Sequence, residues 1–375
     1  MDVIDLLAKE GSMPNSSAFP KKKSRTALDG LFRYAEFLRY GDIYVKFDHE
    51  TGLRAIVAIH NLNRGPAIGG CRLAYYNNAD AALEDAMRLG YMMSYKAAIS
   101  NLAHGGAKAV LIKPKVIKDR KAYFQAFGRF VNELGGRYIT AMDSGTDSTD
   151  MDNIALETQF VTCTTTSRNS GDPSPFTAIG VRRGMEAAAQ FKLGRKDLAG
   201  LHITIQGVGH VGYFLAKDLY ERGARLTICD VNEKSVQHCV DEFKATVVAP
   251  DKIFDVPADI FAPCAMGAAL NADTIKRLRV KIVAGSANNQ LAHSHHSNLM
   301  HEKGILYAPD FLVNSGGLIY VASIYDHDDV KRAFVEVEDI YDTIMEVFER
   351  AATENKMTNI IAEEIAKERL MEKVR

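Results

Sequence analysis

Two lysines, Lys96 and Lys108, stand in the apolar body of "SYKAAISNLAHGGAKAVLIKP" (Ser94–Pro114), a stretch made mostly of alanine, glycine and aliphatic residues that ends on a third, Lys113, before Pro114. An ammonium buried without a partner costs several kcal/mol, so each lysine is paired, snorkelled to the surface, or used. If used, the two divide the work. One fixed ammonium binds a substrate carboxylate. The other, partly desolvated and near a like charge, has its pKa pushed toward neutrality and serves as a general base. Asp143 follows the run "RYITAM" and precedes "SGTDS", where a carboxylate can enter a cleft or cap a turn.

A second constellation is "GVGHVG", Gly207, Val208, Gly209, His210, Val211 and Gly212. It lies between a strand pattern, "LHITIQ", and a helix pattern, "VGYFLAKDLYERGA". In that context the first glycine makes a tight turn, the second admits a pyrophosphate, and the third lets helix and strand pack closely. Asp230 ends the next strand pattern, 23 residues past Gly207. A carboxylate there accepts hydrogen bonds from ribose hydroxyls and repels a 2′-phosphate, which favours NAD over NADP.

The elements that must position these groups are legible as two patterns. "DIYVKFDHETGLRAIVAIH" reads as a hairpin, Asn77–Asn101 as a long helix, and "KAVLIKP", "RKAYFQAFGRFVNEL" and "RYITAM" as strand, helix and strand. On that helix Lys96 shares a face with Leu89, Met92, Met93 and Ile99. Beyond the turn formers "SGDPSP", short strands ("LHITI", "RLTICD", "KATVV", "ADIFAP", "VKIVAG", "GILYAP") alternate with helical or polar segments. That rhythm predicts a parallel sheet covered on both faces.

The chain has 375 residues, enough for two domains, with 47% hydrophobic and 25% charged residues and a net charge of −1. So balanced a charge argues against a nucleic-acid binder, and the basic cluster "KKKSR" (Lys21–Arg25) reads as a solvated tail. No signal-peptide pattern or membrane-length apolar run is present. Cys71, Cys163, Cys229, Cys239 and Cys264 have no paired spacing, as expected of a reduced, cytoplasmic protein. "AHSHHSN" (His293, His295, His296) holds no acidic or cysteine ligand. An exposed polar helix turn is the expectation there, and no metal.

"GPAIGGCRL", "SYKAA", "GGAKAV", "YITAMDSGTDSTDMD", "GDPSPFTAIGVRRGM", "QGVGHVG", "APCAMGA", "GSANNQL" and "YAPDFLVNSGG" occur in that order. Together they resemble the Glu/Leu/Phe/Val dehydrogenases, most closely the leucine-active members, over nearly everything from Asp42 onward. The resemblance implies an α/β fold: a mixed α/β substrate and oligomerisation domain over 1–165, then a Rossmann, doubly wound dinucleotide domain over 166–339, with a cleft between them. Helices in 340–375 are expected to pack back on the first domain.

By that resemblance Lys96, helped by the backbone at Gly69 and Gly70, binds an amino-acid carboxylate. Lys108 activates water and stabilises a carbinolamine, and Asp143 moves protons on and off nitrogen. Thr177 and Asn288 lie near the nicotinamide. The implied reaction is reversible NAD-dependent oxidative deamination of an L-amino acid to a 2-oxo acid and ammonium, by a homo-oligomer.

Glutamate-active members carry a lysine where Ile68 stands and a hydroxyl residue where Val321 stands. Ile68, Ala141, Leu318 and Val321 would therefore form an apolar pocket in which a glutamate carboxylate has no partner. Branched aliphatic side chains suit it, and phenylalanine stays open. Met142, Tyr320, the "GGAK" turn and Leu73 depart from the usual family pattern, the first two beside the pocket. A non-catalytic NAD-binding regulator would be expected to lack Lys96, Lys108 or Asp143, and all three are present.

Overall fold

An alternating run makes β1 (Asp42–Asp48) and a nearly continuous apolar run, buried from Ala55 to His60, makes β2 (Leu53–Asn61); the two pair antiparallel from Asp42↔Ile59 to Asp48↔Leu53. A computed structural model describes residues 27–165, 171–265 and 267–372. The Lys21–Arg25 cluster lies outside them. The described residues divide into two compact units, one within 27–172, 321–333 and 366–372, the other within 173–320 and 334–365.

In the first unit, helix α1 (Ala27–Leu38) precedes the β1–β2 hairpin. Strand β3 (Ala67–Ala74), helix α2 (Ala79–Ile99), strand β4 (Gly105–Ile112), helix α3 (Arg120–Glu133), strand β5 (Tyr138–Met142) and helix α4 (Ser148–Ala155) follow. The sheet order is β1-β2-β4-β3-β5, with β3 parallel to both β4 and β5. Asn78 caps α2 by accepting the Ala81 amide at 2.8 Å. Ala82, Ala86 and Met87 of α2 pack with Leu38, Ile56, Ala58 and Val110 into one core. Leu89, Met92, Met93 and Lys96 are only half-buried. The fully buried face of α2 is thus the neighbouring one, and Lys96 does not stand in the core stripe expected from its spacing.

The second unit begins with α5 (Ser174–Leu193). Its strands are β6 (His202–Gln206), β7 (Arg225–Cys229), β8 (Thr246–Val247), β9 (Ile260–Pro263), β10 (Ile282–Val283) and β11 (Leu306–Tyr307). All pair parallel in the order β11-β10-β9-β6-β7-β8. That order runs outward in both directions from the junction of β6 and β9, as in a Rossmann sheet, so ligand space opens beyond their carboxyl ends. Helices α6 (His210–Glu221) and α7 (Glu233–Phe243) follow β6 and β7. "KATVV" yields only two strand residues because Lys244 caps α7 in the left-handed region, φ 52°.

Helices α8 (Ala272–Arg277), α9 (His296–Glu302), α10 (Asp310–Val313), α11 (Gly316–His327), α12 (Val330–Glu338), α13 (Ile340–Glu354) and α14 (Thr358–Met371) complete the chain. The C-terminal helices divide differently from the expectation. Ile340, Ile344, Val347, Phe348 and Ala351 form the buried face of α13, and its Phe348 ring lies 5.4 Å from Phe191 of α5. Only from Ala366 does the chain belong to the first unit, where Arg64 donates to the Arg369 carbonyl at 2.8 Å. The segment 321–333 also joins the first unit, held by His104 Nε2 at 2.8 Å from Asp326 Oδ2.

Candidate active site

Strand register gathers the polar groups of the first unit. β3 pairs Ile68↔Gly106 with β4, and Ile68↔Ile139 and Gly70↔Ala141 with β5. Side chains alternate along a strand, so Ile68, Gly70, Arg72, Lys108, Ala141 and the residue after β5, Asp143, share one face. Gly70 admits the catalytic candidate. A Cβ on it would sit 2.7 Å from the Cβ of Asp143, closer than atoms approach.

Lys108 is 5% exposed and its Nζ lies 2.9 Å from Asp143 Oδ2. Arg72 Nε reaches the same oxygen at 3.0 Å. Burial pushes the Asp143 carboxyl up, but the charges and hydrogen bonds of Lys108 and Arg72 outweigh it and hold it at about 2. The group in direct contact with the second lysine is therefore a carboxylate rather than the like charge expected, and a second cation, Arg72, shares the same carboxylate oxygen. Lys96 lies in the last turn of α2, half-buried.

Arg72 was not among the residues singled out from the sequence. Its NH1 also binds Asp85 Oδ2 at 2.9 Å, and Arg88 NH2 binds Asp85 Oδ1 at 3.0 Å. The available signal was its place in "GGCRL", two residues after Gly70 and so on the same face. Ile68 is fully buried, and Ala141 and Val321 nearly so.

In the second unit Gly207 has φ 95°, and an added Cβ would meet Ala265 backbone at 2.7 Å, so only glycine fits this turn. Asp230 Oδ2 accepts the Val208 amide at 2.7 Å, tying the turn to the end of β7. Nothing lies within 4 Å of a Cβ built on Gly209. His210 and Val211 open α6, and Gly212 fits against the Gly207 carbonyl. Asn314 Nδ2 donates to Asn288 Oδ1 at 2.8 Å. Thr177 Oγ1 donates to the Pro173 carbonyl at 3.1 Å. Leu318 lies half-buried on α11 in this unit, not in the one holding Ile68 and Ala141.

A nicotinamide dinucleotide fits this second set. The open space at Gly209 adjoins the N-terminus of α6, where backbone amides favour a pyrophosphate. Gln206 Oε1 and Asn314 Oδ1 are buried acceptors without a protein partner, suited to ligand donors. A pocket of about 220 Å³ lined by Phe191, His301, Tyr307, Phe348 and Lys356 contains none of these residues.

Residues 40–160 match the Glu/Leu/Phe/Val dehydrogenase dimerisation domain, and 227–370 the Glutamate/Leucine/Phenylalanine/Valine dehydrogenase model. The chain belongs to the Glu/Leu/Phe/Val dehydrogenase family. It is 46% identical over 341 residues to a leucine dehydrogenase of Bacillus cereus, covering 91% of this chain and 93% of that one. It is 41% identical over 354 residues to a phenylalanine dehydrogenase of Bacillus thermotolerans, covering 93% of each. The crystal structure of L-tryptophan dehydrogenase from Nostoc punctiforme superposes with a TM-score of 0.80 at 38% identity, covering 90% of this chain and 98% of that one.

As a family member this dehydrogenase uses its parallel-sheet unit for a nicotinamide cofactor. Elsewhere in that unit the histidine run is exposed at His293 and His295, as expected, and departs from expectation only at His296, which is 6% exposed. The His296 Nδ1 accepts the His293 amide at 3.2 Å, and the rings of His293, His295 and His296 lie 4.6–5.4 Å apart. Among the described residues no group of three or more His, Cys, Asp or Glu is arranged to hold a metal. Nor is any described helix long and apolar enough to cross a membrane.

Proposed function

We propose that this dehydrogenase interconverts a branched aliphatic L-amino acid, leucine foremost, and its 2-oxo acid. NAD⁺ and water are consumed in the oxidative direction, and NADH and ammonium are released. The observation that carries the reading is the pairing of buried Lys108 with half-buried Asp143, 2.9 Å apart, on the sheet face that also presents Ile68 and Ala141. The curated leucine dehydrogenases it resembles support the substrate class.

Lys96 and the backbone at Gly69 and Gly70 hold the α-carboxylate. Tyr138 OH donates to the Gly69 carbonyl at 2.7 Å, fixing that backbone. Asp143 takes a proton from the substrate ammonium, freeing the nitrogen lone pair. A nicotinamide held by the parallel-sheet unit would supply the acceptor for the hydride on the substrate Cα, whose loss leaves an imine. Lys108, once it has released its own proton to solvent, orients the water that adds to the imine carbon and takes a proton from it. Asp143 then returns its proton to the nitrogen, and the C–N bond breaks as the carbinolamine hydroxyl proton passes to solvent, leaving the 2-oxo acid and ammonia. Gly207–Gly212, Asp230, Thr177 and Asn288 hold the cofactor, and the Asp230 carboxylate disfavours a 2′-phosphate.

Ile68, Ala141 and Val321 supply apolar surface to the side chain. A glutamate carboxylate beside Ile68 would be buried without a cation. Self-association through the dimerisation domain, in the cytoplasm, is the setting this reading expects.

The test is reduced-nicotinamide formation with L-leucine, L-valine, L-phenylalanine and L-glutamate, each with NAD⁺ and NADP⁺. The expected result is turnover on leucine and valine with NAD⁺, abolished in Lys108→Ala without loss of NADH binding. Turnover mainly on glutamate would overturn the pocket assignment. Binding without turnover on any substrate would mark a regulator.

A further inference from the structure

Both cations on Asp143 take the same oxygen. Lys108 Nζ and Arg72 Nε lie 2.9 and 3.0 Å from Oδ2, the carboxylate oxygen each pairs with. The two cations differ in freedom. Lys108 is a single ammonium on a flexible stem, and in the proposed reaction it must turn to water and the carbinolamine. Arg72 is a planar fork held at its other end. Its NH1 binds Asp85 Oδ2 at 2.9 Å, the Tyr76 hydroxyl donates to that oxygen at 2.7 Å, and Arg88 holds Asp85 Oδ1 at 3.0 Å. Asp85 is thus held from three sides and fixes the far end of the guanidinium.

We propose that Arg72, anchored by Asp85, is a positioning residue that keeps Asp143 Oδ2 ion-paired when Lys108 engages the substrate, so that Oδ1 carries the proton. The inference rests on the functional reading above. In the oxidative direction an N–H bond of the substrate ammonium breaks, its electron pair stays on nitrogen, and an O–H bond forms at Oδ1. Collapse of the carbinolamine returns that proton to the leaving nitrogen. A carboxylate whose second oxygen stays ion-paired gives up its proton readily, which suits release to ammonia.

The charged groups facing Asp143 are Lys108 from β4 and Arg72 from β3; the Cys71 thiol and the Tyr138 hydroxyl feel its charge from the other face of the sheet, and the Thr146 hydroxyl accepts its backbone amide. Behind Arg72 stand Asp85, Arg88 and Tyr76. Arg72 is therefore the cation left on Oδ2 once Lys108 moves.

The experiment is the pH profile of kcat and of kcat/KM for leucine oxidation in Arg72→Gln, Arg72→Lys and Asp85→Asn, with NADH binding measured in parallel. Loss of an adjacent cation raises a carboxyl pKa by about 1–3 units, and general acid–base catalysis is worth about 10²–10⁴-fold. The expected result for Arg72→Gln is an acidic limb moved up by about one unit or more. Its kcat should fall about 10- to 100-fold, with the leucine KM and NADH binding close to wild type. Arg72→Lys should recover part of both changes, and Asp85→Asn should move the limb the same way by less.

An unmoved acidic limb in both Arg72→Gln and Asp85→Asn, or a raised KM at unchanged kcat, would overturn the proposal. If Arg72→Gln does not fold, Arg72→Lys and Asp85→Asn decide it by the same limb. Full turnover in Asp143→Asn would instead overturn the assignment of Asp143, which separates failure of the functional reading from failure of the clamp.

Discussion

Gly70 has no side chain, and Asp143 occupies the room this leaves. A methyl there would stand 2.7 Å from Asp143 Cβ and 3.0 Å from the Met142 carbonyl, so either the β5 end or the carboxylate must shift. Misplacement of a reacting group by about 1 Å can cost about 100-fold in rate. Gly70→Ala is therefore expected to lower kcat by about that factor while the parallel-sheet unit binds NADH as before. Steady-state kinetics beside an NADH titration would check this, and an unchanged kcat would mean the strand end yields freely. The chemistry was legible where a residue type contradicted its surroundings. Lysine inside an apolar strand is such a contradiction, and Lys108 is indeed buried and paired. Arg72 gave no such signal, because a single arginine near the end of a strand is also what a solvated position looks like. Only the register with β5 puts it on the carboxylate of Asp143.

At the scale of elements, the clearest test lies in the second unit, where α5, α6 and α12 meet. Arg182, 4% exposed, lies 2.9 Å from Glu186 and 3.0 Å from Asp218 and also binds Glu338. Removing one partner of a buried ion pair leaves the rest uncompensated and costs about 3–5 kcal/mol. Arg182→Ala should therefore lower the free energy of unfolding by about 3 kcal/mol, read by urea denaturation. A loss below about 1 kcal/mol would reduce the cluster to ordinary surface pairs. None of these acids is near Arg182 in the chain except Glu186, four residues on, so the cluster was not legible beforehand. The strands and helices were legible as periodicities, yet their partners were less so. Amphipathic α13 announced an apolar face, but a face does not name what covers it, and Phe191 of α5 does so rather than the first unit. The short strands β8, β10 and β11 are two residues each, because loop and cap conformations such as that of Lys244 take over sooner than β-rich composition suggests.

Over the whole molecule, 46 basic side chains balance 47 acidic ones, so the diffuse field of the chain is weak near neutrality. The pH dependence of stability then turns on the few groups whose protonation differs between folded and unfolded chain. His60 is the foremost. It is buried, with Nδ1 2.8 Å from Ser94 Oγ and Nε2 2.9 Å from the Leu38 carbonyl, between the rings of Tyr40 and Tyr91. Burial pushes its pKa down to about 4, against the upward pull of the Leu38 carbonyl. His296 is lowered in the same sense, by burial and then by His295 and His293. A histidine depressed on folding binds fewer protons folded than unfolded, so its contribution is complete above its ordinary pKa of about 6.5 and is lost as pH falls below it. Asp143, held at about 2, keeps its contribution down to the ordinary carboxylate range and loses it only in stronger acid. Between pH 7.5 and 5 the histidines therefore set the slope. At about 1.4 kcal/mol per unit, a drop from 6.5 to about 4 makes His60 worth roughly 3 kcal/mol in full, of which about 2 is lost by pH 5. Urea unfolding at pH 7.5, 6 and 5 should show that fall in the native chain. His60→Gln should begin less stable at pH 7.5 and lose less on acidification, so that the two curves converge. Parallel curves for the two proteins would mean that His60 takes up its proton without leaving its hydrogen bonds, and that burial around it is looser than the Tyr40–His60–Tyr91 stack implies.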